Sequence, residues 1–350
     1  MARVSAGARL HFGFCNLSLS HQRLYGALGL GLREPRVVVD AEPATGVSVA
    51  VADAAGGTRS ETSGVASETT TDLRSHARTA VDRLGVDGVR VVLCDSLPRH
   101  AGLGSGTQLA AATLAAVAAA HDEPARIRER APDFGRGGRS GVGVATFEDG
   151  GFVLDAGHPT ARFTTDRPDD GDWTVPPVSA RHPVPDDWRF LLVRPDADPG
   201  RSGDNEDGAM RAAVERAEPG LADRIGGIVT RRVLPAVATG NAEGFGAAVA
   251  EIGRLNGAWY ADEQGGVYRP PVGDVVASLS AAAGVFGAGQ SSWGPIVYGV
   301  TDAAHAEAAA DAGERALDEA GVEGSVSVVR AASRGARVTR EGTNADEQQH

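Results

Sequence analysis

Apolar and β-branched positions alternate with polar ones early in the chain, predicting strands over residues 4–12, 28–32, 37–41, 47–52 and 89–94. Spacing of three and four predicts helices over 72–84 and, more strongly, 108–120. Residues 141–147 and 151–155 read as two short strands joined by the turn-like Glu148-Asp149-Gly150. From 159 to 187 the chain is rich in Pro and Asp and loses its periodicity, as a linker or wrapping loop does. A strand at 188–193 is then followed by helices at 209–217, 221–238, 242–255 and 274–283. Strands at 285–286 and 296–300, a helix at 303–320 and a strand at 325–330 complete the pattern. The expected organisation is α+β in two domains, 1–158 and 188–332, with a tail at 333–350 too poor in apolar residues to pack.

Composition narrows the chemistry. The 350 residues are 42% hydrophobic, enough for a core, but no apolar run reaches membrane-spanning length, so no membrane partner is expected. The start MARVSAGARLHFGF lacks a secretory signal pattern, and the chain reads as cytoplasmic. Cys15 and Cys94 have no zinc-site spacing and read as small core residues. There is no lysine, so all 34 basic residues are arginine, against 46 acidic ones and a net charge of -12. That excludes Schiff-base and pyridoxal chemistry and a Walker-type loop, and leaves phosphate and carboxylate recognition to guanidinium forks. Lysine avoidance with abundant acid resembles a halophile's composition; without a basic stripe, nucleic acid is not an expected partner.

Chemistry-bearing residues gather in three loops. VRVVLCDSLPRHAGLGSGTQLAAATLAAVAAAH reads as strand, proline-marked loop, glycine cluster and alanine-rich helix. Gly102, Gly104 and Gly106 let backbone approach an anion at the helix's positive end, Ser105 and Thr107 add hydroxyls, and Gln108 follows. The plainer reading is a turn in which Ser105 or Thr107 merely caps the helix. Arg136, Arg139 and Ser140 in GRGGRSGVGV can clamp a phosphate or carboxylate, or form a polar loop entering a strand. Gln290, Ser291 and Ser292 in GAGQSSWGP offer an amide and hydroxyls, or a structural turn. Asp155 and His158 in FVLDAGHP, and His11 in ARLHFGF, are candidate catalysts; a histidine among apolar residues is more commonly a hydrogen-bonded core group.

PRHAGLGSGT resembles the second motif of the GHMP kinase superfamily, and GAGQSSWGP stands in the place of the third. The usual spelling is G-L-G-S-S, whereas Gly106 follows Ser105 here. That variant, with ARLHFGF, RGGRSGVGVATFEDGGFVLDAGH, PDDWRFLLVRP and GQSSWGPIVYG, is similar to the β-ribofuranosylaminobenzene 5'-phosphate synthase family over residues 3 to about 300. The resemblance implies a GHMP-kinase-like fold, an N-terminal α/β domain carrying the glycine-rich phosphate loop and a C-terminal ferredoxin-like α+β domain. It implies a pentosyltransferase condensing phosphoribosyl pyrophosphate with an aromatic acid, 4-aminobenzoate or 4-hydroxybenzoate. Carbon dioxide and pyrophosphate are lost and a C-riboside 5'-phosphate forms, on the way to methanopterin-type pterins. Magnesium and a homodimer are implied, without metal ligands. In that chemistry the glycine loop with Ser105 and Thr107 would hold pyrophosphate, and Arg136 or Arg139 the carboxylate. Asp155 would face the ribosyl cation, and His158 or His11 would move a proton or orient a phosphate. Two other readings are an ATP-dependent GHMP-type small-molecule kinase and a non-catalytic phosphoribosyl-ligand-binding relative.

Overall fold

A computed structural model of the chain describes residues 1–52, 58–60, 67–162, 171–198 and 204–340. Strand β1 (Ala2–Asn16) turns its even positions inward, so Val4, Ala6, Ala8, Leu10 and Phe12 are buried, while Arg3, Ser5, Gly7 and Arg9 are at least partly exposed and His11 is buried on the other face. It pairs antiparallel with β2 (Arg23–Pro43), and the sheet continues through β5 (Gly88–Asp95), β3 (Gly46–Ala52) and β4 (Thr58–Ser60). Helices α1 (Glu68–Leu84) and α2 (Ser105–Ala120) pack on it. Residues 108–119 of α2 are all buried; alanine allows this, letting a helix approach its neighbours on every side. After the short α3 (Ile127–Arg130) come α4 (Val142–Asp149), β6 (Phe152–Asp155), β7 (His158–Pro159) and β8 (Val178–His182).

The second half begins with β9 (Trp188–Pro195) and runs through α5 (Asp204–Arg216) and α6 (Pro219–Ile228). A π-turn at Val229–Val233 leads into α7 (Leu234–Thr239), then α8 (Ala242–Gln264) and α9 (Val272–Ala281). Strands β10 (Gly287–Gln290) and β11 (Val297–Asp302), helix α10 (Ala306–Ala320), β12 (Gly324–Val329) and β13 (Arg337–Arg340) follow. The antiparallel order β10-β11-β9-β12 is the ferredoxin-like arrangement, so the expected α+β, GHMP-kinase-like architecture is what the chain adopts. Phe245 of α8 sits 5.6 Å from Phe12, 5.7 Å from Phe152 and 5.0 Å from Trp188, joining both sheets in one aromatic core. No helix among the described residues is long and apolar enough to cross a membrane.

The structure departs from the sequence pattern in several places. Residues 28–32 and 37–41 belong to one strand; the β1–β2 ladder passes from Gly7–Arg36 to Arg9–Gly31, and the polar residues between them bulge out. Residues 141–147 are helix, not strand, because Val142, Val144, Ala145 and Phe147 are buried on opposite sides of a short element wedged between α2 and the sheet. Within 159–187, β8 pairs with β6 and extends the first sheet, while 163–170 lie outside the described residues. Nor is the tail structureless from 333: Arg337–Arg340 pairs antiparallel with Ala2–Ser5, using the free edge of β1 rather than apolar content. Residues 341–350 lie outside the described residues. Both cysteines are free and only half buried; the Cys94 thiol donates towards Asp40 at 3.3 Å.

Candidate active site

The loop after β5 delivers Gly104, in the left-handed conformation (φ 77°), as the N-cap of α2 with no side-chain capping bond. Neither Ser105 nor Thr107 caps the helix; both lie in its first turn, half exposed, with backbone N–H groups turned outward at the positive end. A Cβ on Gly106 would come 3.0 Å from the Arg136 guanidinium, so that side chain lies directly over the first turn. A Cβ on Gly143 would come 3.0 Å from Thr107, so the start of α4 converges on the start of α2. Gln108 fastens the two helices: its Nε2 donates to Gly143 O at 2.9 Å, while its Oε1 is buried without a hydrogen-bond partner. The first turn of α2 and the Arg136 guanidinium over it therefore form a candidate anion cradle, whereas the start of α4 is already met by Ser140 and Asp155.

Arg9 and Ser291 hold this loop from beneath. The Gly102 carbonyl accepts from Arg9 Nη1 at 2.7 Å and from Ser291 Oγ at 2.6 Å. Ser291 Oγ in turn accepts the His11 N–H at 3.1 Å, and Ser292 N–H donates to His11 O at 3.2 Å. Ser291 is fully buried and acts as a staple, whereas Ser292 lines an adjoining cavity. Gln290 is also committed, donating to Ser292 O at 3.2 Å and accepting from Arg269 N at 3.4 Å.

That cavity, about 50 Å³ and partly open to solvent, lies between β1, α8 and the 290–293 loop. Phe14, Tyr260, Tyr268 and Trp293 supply its aromatic walls, with Tyr260 and Trp293 tilted against each other at 4.7 Å. His11 stands in it edge-on to Phe14 at 5.0 Å. Burial, helped by neighbouring Arg9, pushes the His11 imidazole down to about 3, so it is neutral and resists protonation. Asn256 of α8 shapes the wall: its Oδ1 accepts Phe14 N–H at 2.7 Å and its Nδ2 donates to Phe14 O at 3.0 Å. Gly13 (φ 134°) is required there, because a Cβ would fall 2.7 Å from Asn256.

Asp155 stands apart from the cavity lining. It is buried beneath the start of α4, where Oδ2 accepts from Gly141 N at 2.7 Å and Ser140 Oγ at 3.2 Å. Its Oδ1 accepts from Gly157 N at 2.8 Å. Burial pushes its carboxyl up to about 6 against the downward pull of those donors. Asp155 and Ser140 thus position α4. Arg139 pairs with Asp207 of α5 and bonds to Tyr25, while the His158 ring lies 6.2 Å from Tyr25 on the far side of Phe14. Of the residues singled out from sequence, the glycine loop, Gln108, Arg136, His11 and 290–292 come together; Arg139, Asp155 and His158 lie behind them. Arg9, Asn256 and the aromatic walls were not singled out, although Arg9 and His11 share a strand face and Asn256 is a polar position in a buried helical stripe.

The family described as GHMP kinases N terminal domain matches residues 73–151, and GHMP kinases C terminal matches 233–319. The beta-ribofuranosylphenol 5'-phosphate synthase of Methanothermobacter thermautotrophicus is 34% identical over 303 residues, covering 85% of this chain and 88% of that one. Its namesake from Archaeoglobus fulgidus is 29% identical, covering 86% and 88%. Among solved structures, a galactokinase of Lactococcus lactis complexed with galactose superposes with a TM-score of 0.65 at 10% identity, covering 96% of this chain and 94% of that one, a likeness of fold alone. A glycine-rich anion cradle on this fold, with family-level identity over most of the length, means that the chain belongs to the beta-ribofuranosylphenol 5'-phosphate synthase family of enzymes, built on the GHMP kinase fold.

Proposed function

We propose that the chain condenses phosphoribosyl pyrophosphate with 4-hydroxybenzoate, releasing carbon dioxide and pyrophosphate and forming a phenol C-riboside 5'-phosphate for methanopterin-type pterin synthesis. The observation that carries this reading is the adjacency of the anion cradle at α2 to an aromatic-walled cavity, the two sharing the Gly102–Ser291–His11 hydrogen-bond chain. A diphosphate fits the first and a single phenolic ring the second. The word phenol in the relatives' names favours the hydroxy acid over 4-aminobenzoate.

In this reaction the bond from ribose C1 to diphosphate breaks as a bond forms to the ring carbon bearing the carboxylate. Carbon dioxide then departs, leaving its bonding electrons to restore the aromatic ring. The N–H groups of α2 and the Arg136 guanidinium take up the growing charge on the leaving diphosphate. Neutral His11 stands beside the ring as a hydrogen-bond partner that orients the acceptor while its para-oxygen pushes electrons into the ring. Among the described residues no three His, Cys, Asp or Glu side chains gather as a metal cage. The donor set suits magnesium held chiefly by substrate oxygens and water, with Ser105 or Thr107 hydroxyls completing it; when bound it withdraws charge from the leaving group.

The test supplies phosphoribosyl pyrophosphate, magnesium and carboxyl-labelled 4-hydroxybenzoate in high salt, which suits a lysine-free acidic chain. Equal release of labelled carbon dioxide and pyrophosphate is expected. Phosphorylation from ATP without pyrophosphate release would favour the kinase reading, and binding of the ribosyl donor without turnover the non-catalytic one.

A further inference from the structure

Arg136, whose guanidinium lies over the first turn of α2, is set from its backbone outward by part of the segment that reads from sequence as a linker or wrapping loop. Its N–H donates to Ala131 O at 3.0 Å and its C=O accepts from the Trp173 indole Nε1 at 2.9 Å, so both backbone polar groups are held. The same segment covers the residues that follow. A Cβ on Gly138 would come 3.3 Å from Trp173 Cε2, and one on Gly137 (φ 81°) would come 2.6 Å from Val175 Cγ2. Residues 171–177 are themselves anchored at both ends. Gly171 N–H donates to Pro132 O at 3.0 Å, and Ala156 N–H donates to Pro177 O at 2.9 Å. Arg128 Nη1 donates to Pro176 O at 2.9 Å while its Nη2 holds Glu148 of α4 at 2.8 Å, and Val175 is buried against Ala131 and Val144.

Resting on the assignment of the ribosyl donor's diphosphate to the α2 cradle, we infer that Trp173 is a positioning residue for donor binding. Its indole N–H, carried by the strap 171–177, fixes the Arg136 backbone so that the guanidinium meets the diphosphate at the positive end of α2. The need for such a support follows from the loop's composition. Arg136 stands between Gly135 (φ 69°) and the pair Gly137-Gly138, none of which has a side chain to anchor the chain. Left to itself, a glycine-flanked arginine samples many arrangements, and ordering it on the ligand weakens binding. The strap does that ordering during folding instead. An indole suits the task, since one rigid side chain supplies both the cover over Gly138 and a single donor for the Arg136 carbonyl.

A double-mutant cycle on the full-length protein tests this, reading the Kd for phosphoribosyl pyrophosphate with magnesium by calorimetry and the KM of the aromatic acid by carbon dioxide release. Trp173→Phe keeps the ring and removes the N–H. Its Kd for the donor should rise about three- to tenfold, the worth of one hydrogen bond, while the KM of the acid stays unchanged. In an Arg136→Ala background the same substitution should leave the Kd where it is, because the side chain it positions is gone. Val175→Ala, which loosens the strap through a different contact, should show the same dependence on Arg136. An equal rise in both backgrounds, or no rise in either, would overturn the inference and leave Trp173 a supporter of the fold alone. Arg136→Ala binding the donor as tightly as the unaltered protein would instead remove the cradle assignment on which the inference rests. Coupled donor binding without carbon dioxide release would remove the assigned reaction and leave the positioning role standing.

Discussion

Replacing Gly102 with alanine is the sharpest probe of how the anion cradle is built. Gly102 has φ 87°, and a Cβ there would stand 2.1 Å from the carbonyl oxygen of Ser291, a backbone atom that cannot swing aside. The left-handed backbone alone costs an alanine about 1 kcal/mol. Moving the loop clear also breaks the two bonds that converge on the Gly102 carbonyl, from Ser291 Oγ and Arg9 Nη1. These contribute about 1 kcal/mol for the neutral donor and about 2 kcal/mol for the charged one. The expected destabilisation is therefore about 4 kcal/mol by the same values. Gly85→Ala is the matched control: its φ is 68° but nothing lies within 4 Å of the added Cβ, so it reports the backbone term alone, about 1 kcal/mol. Denaturant unfolding of both variants gives the difference, and calorimetric titration with phosphoribosyl pyrophosphate should show weaker binding only for Gly102→Ala. Equal destabilisation of the two variants, with unchanged donor binding, would refute the stapled-loop account.

Arg136→Ala should raise the KM for phosphoribosyl pyrophosphate by roughly 30- to 100-fold, the worth of one charge-assisted contact, with little effect on the KM of the aromatic acid. Asn256→Ala should cost about 2–3 kcal/mol in denaturant unfolding by stranding the Phe14 N–H and C=O, and should weaken acid binding more than donor binding. Acid should destabilise the fold. His11 and His76 are held at about 3 and about 4, below the ordinary 6.5, so their contribution is present above 6.5 and lost as pH falls towards those values. Asp155 has the opposite sign: raised from 3.8 to about 6, it contributes below 3.8 and loses that contribution as pH rises through 6. Two histidines against one carboxyl leave net proton uptake on unfolding between pH 4 and 6. His76→Gln should flatten the unfolding free energy between pH 7 and 4, and an unchanged slope would count against the buried, neutral histidine.

The cradle was legible because its signal is local. Glycines at 102, 104 and 106 between a strand pattern and an alanine helix can be read from one short segment, although the helix starts at Ser105, three residues before the expected 108, and takes Gly106 into its first turn. The short element at 142–149 was not legible: with apolar residues at 142, 144, 145 and 147, so brief a run satisfies strand and helix spacing alike, and packing between α2 and the sheet decides. Asp155 and Arg139 illustrate a second limit. Charged residues beside a glycine-rich loop look like ligands in sequence, yet one caps backbone N–H groups and the other pairs with Asp207, a partner 68 positions away.

By itself, then, the sequence determined the α+β class, the anion cradle, the exclusion of lysine-dependent chemistry and the family likeness, all properties of composition or of contiguous residues. Only the tertiary structure decided the make-up of the cavity proposed above for the aromatic substrate. The cavity wall takes His11 and Phe14 from β1, Tyr260 from α8 and Trp293 from the loop before β11, brought together by the bulge that Gly13 and Asn256 fix. Where the side chains of Arg9, Arg136, Arg139 and Arg269 point is decided in the same way. Each is held by a hydrogen-bond or packing partner distant in sequence, and no local pattern encodes such a partner.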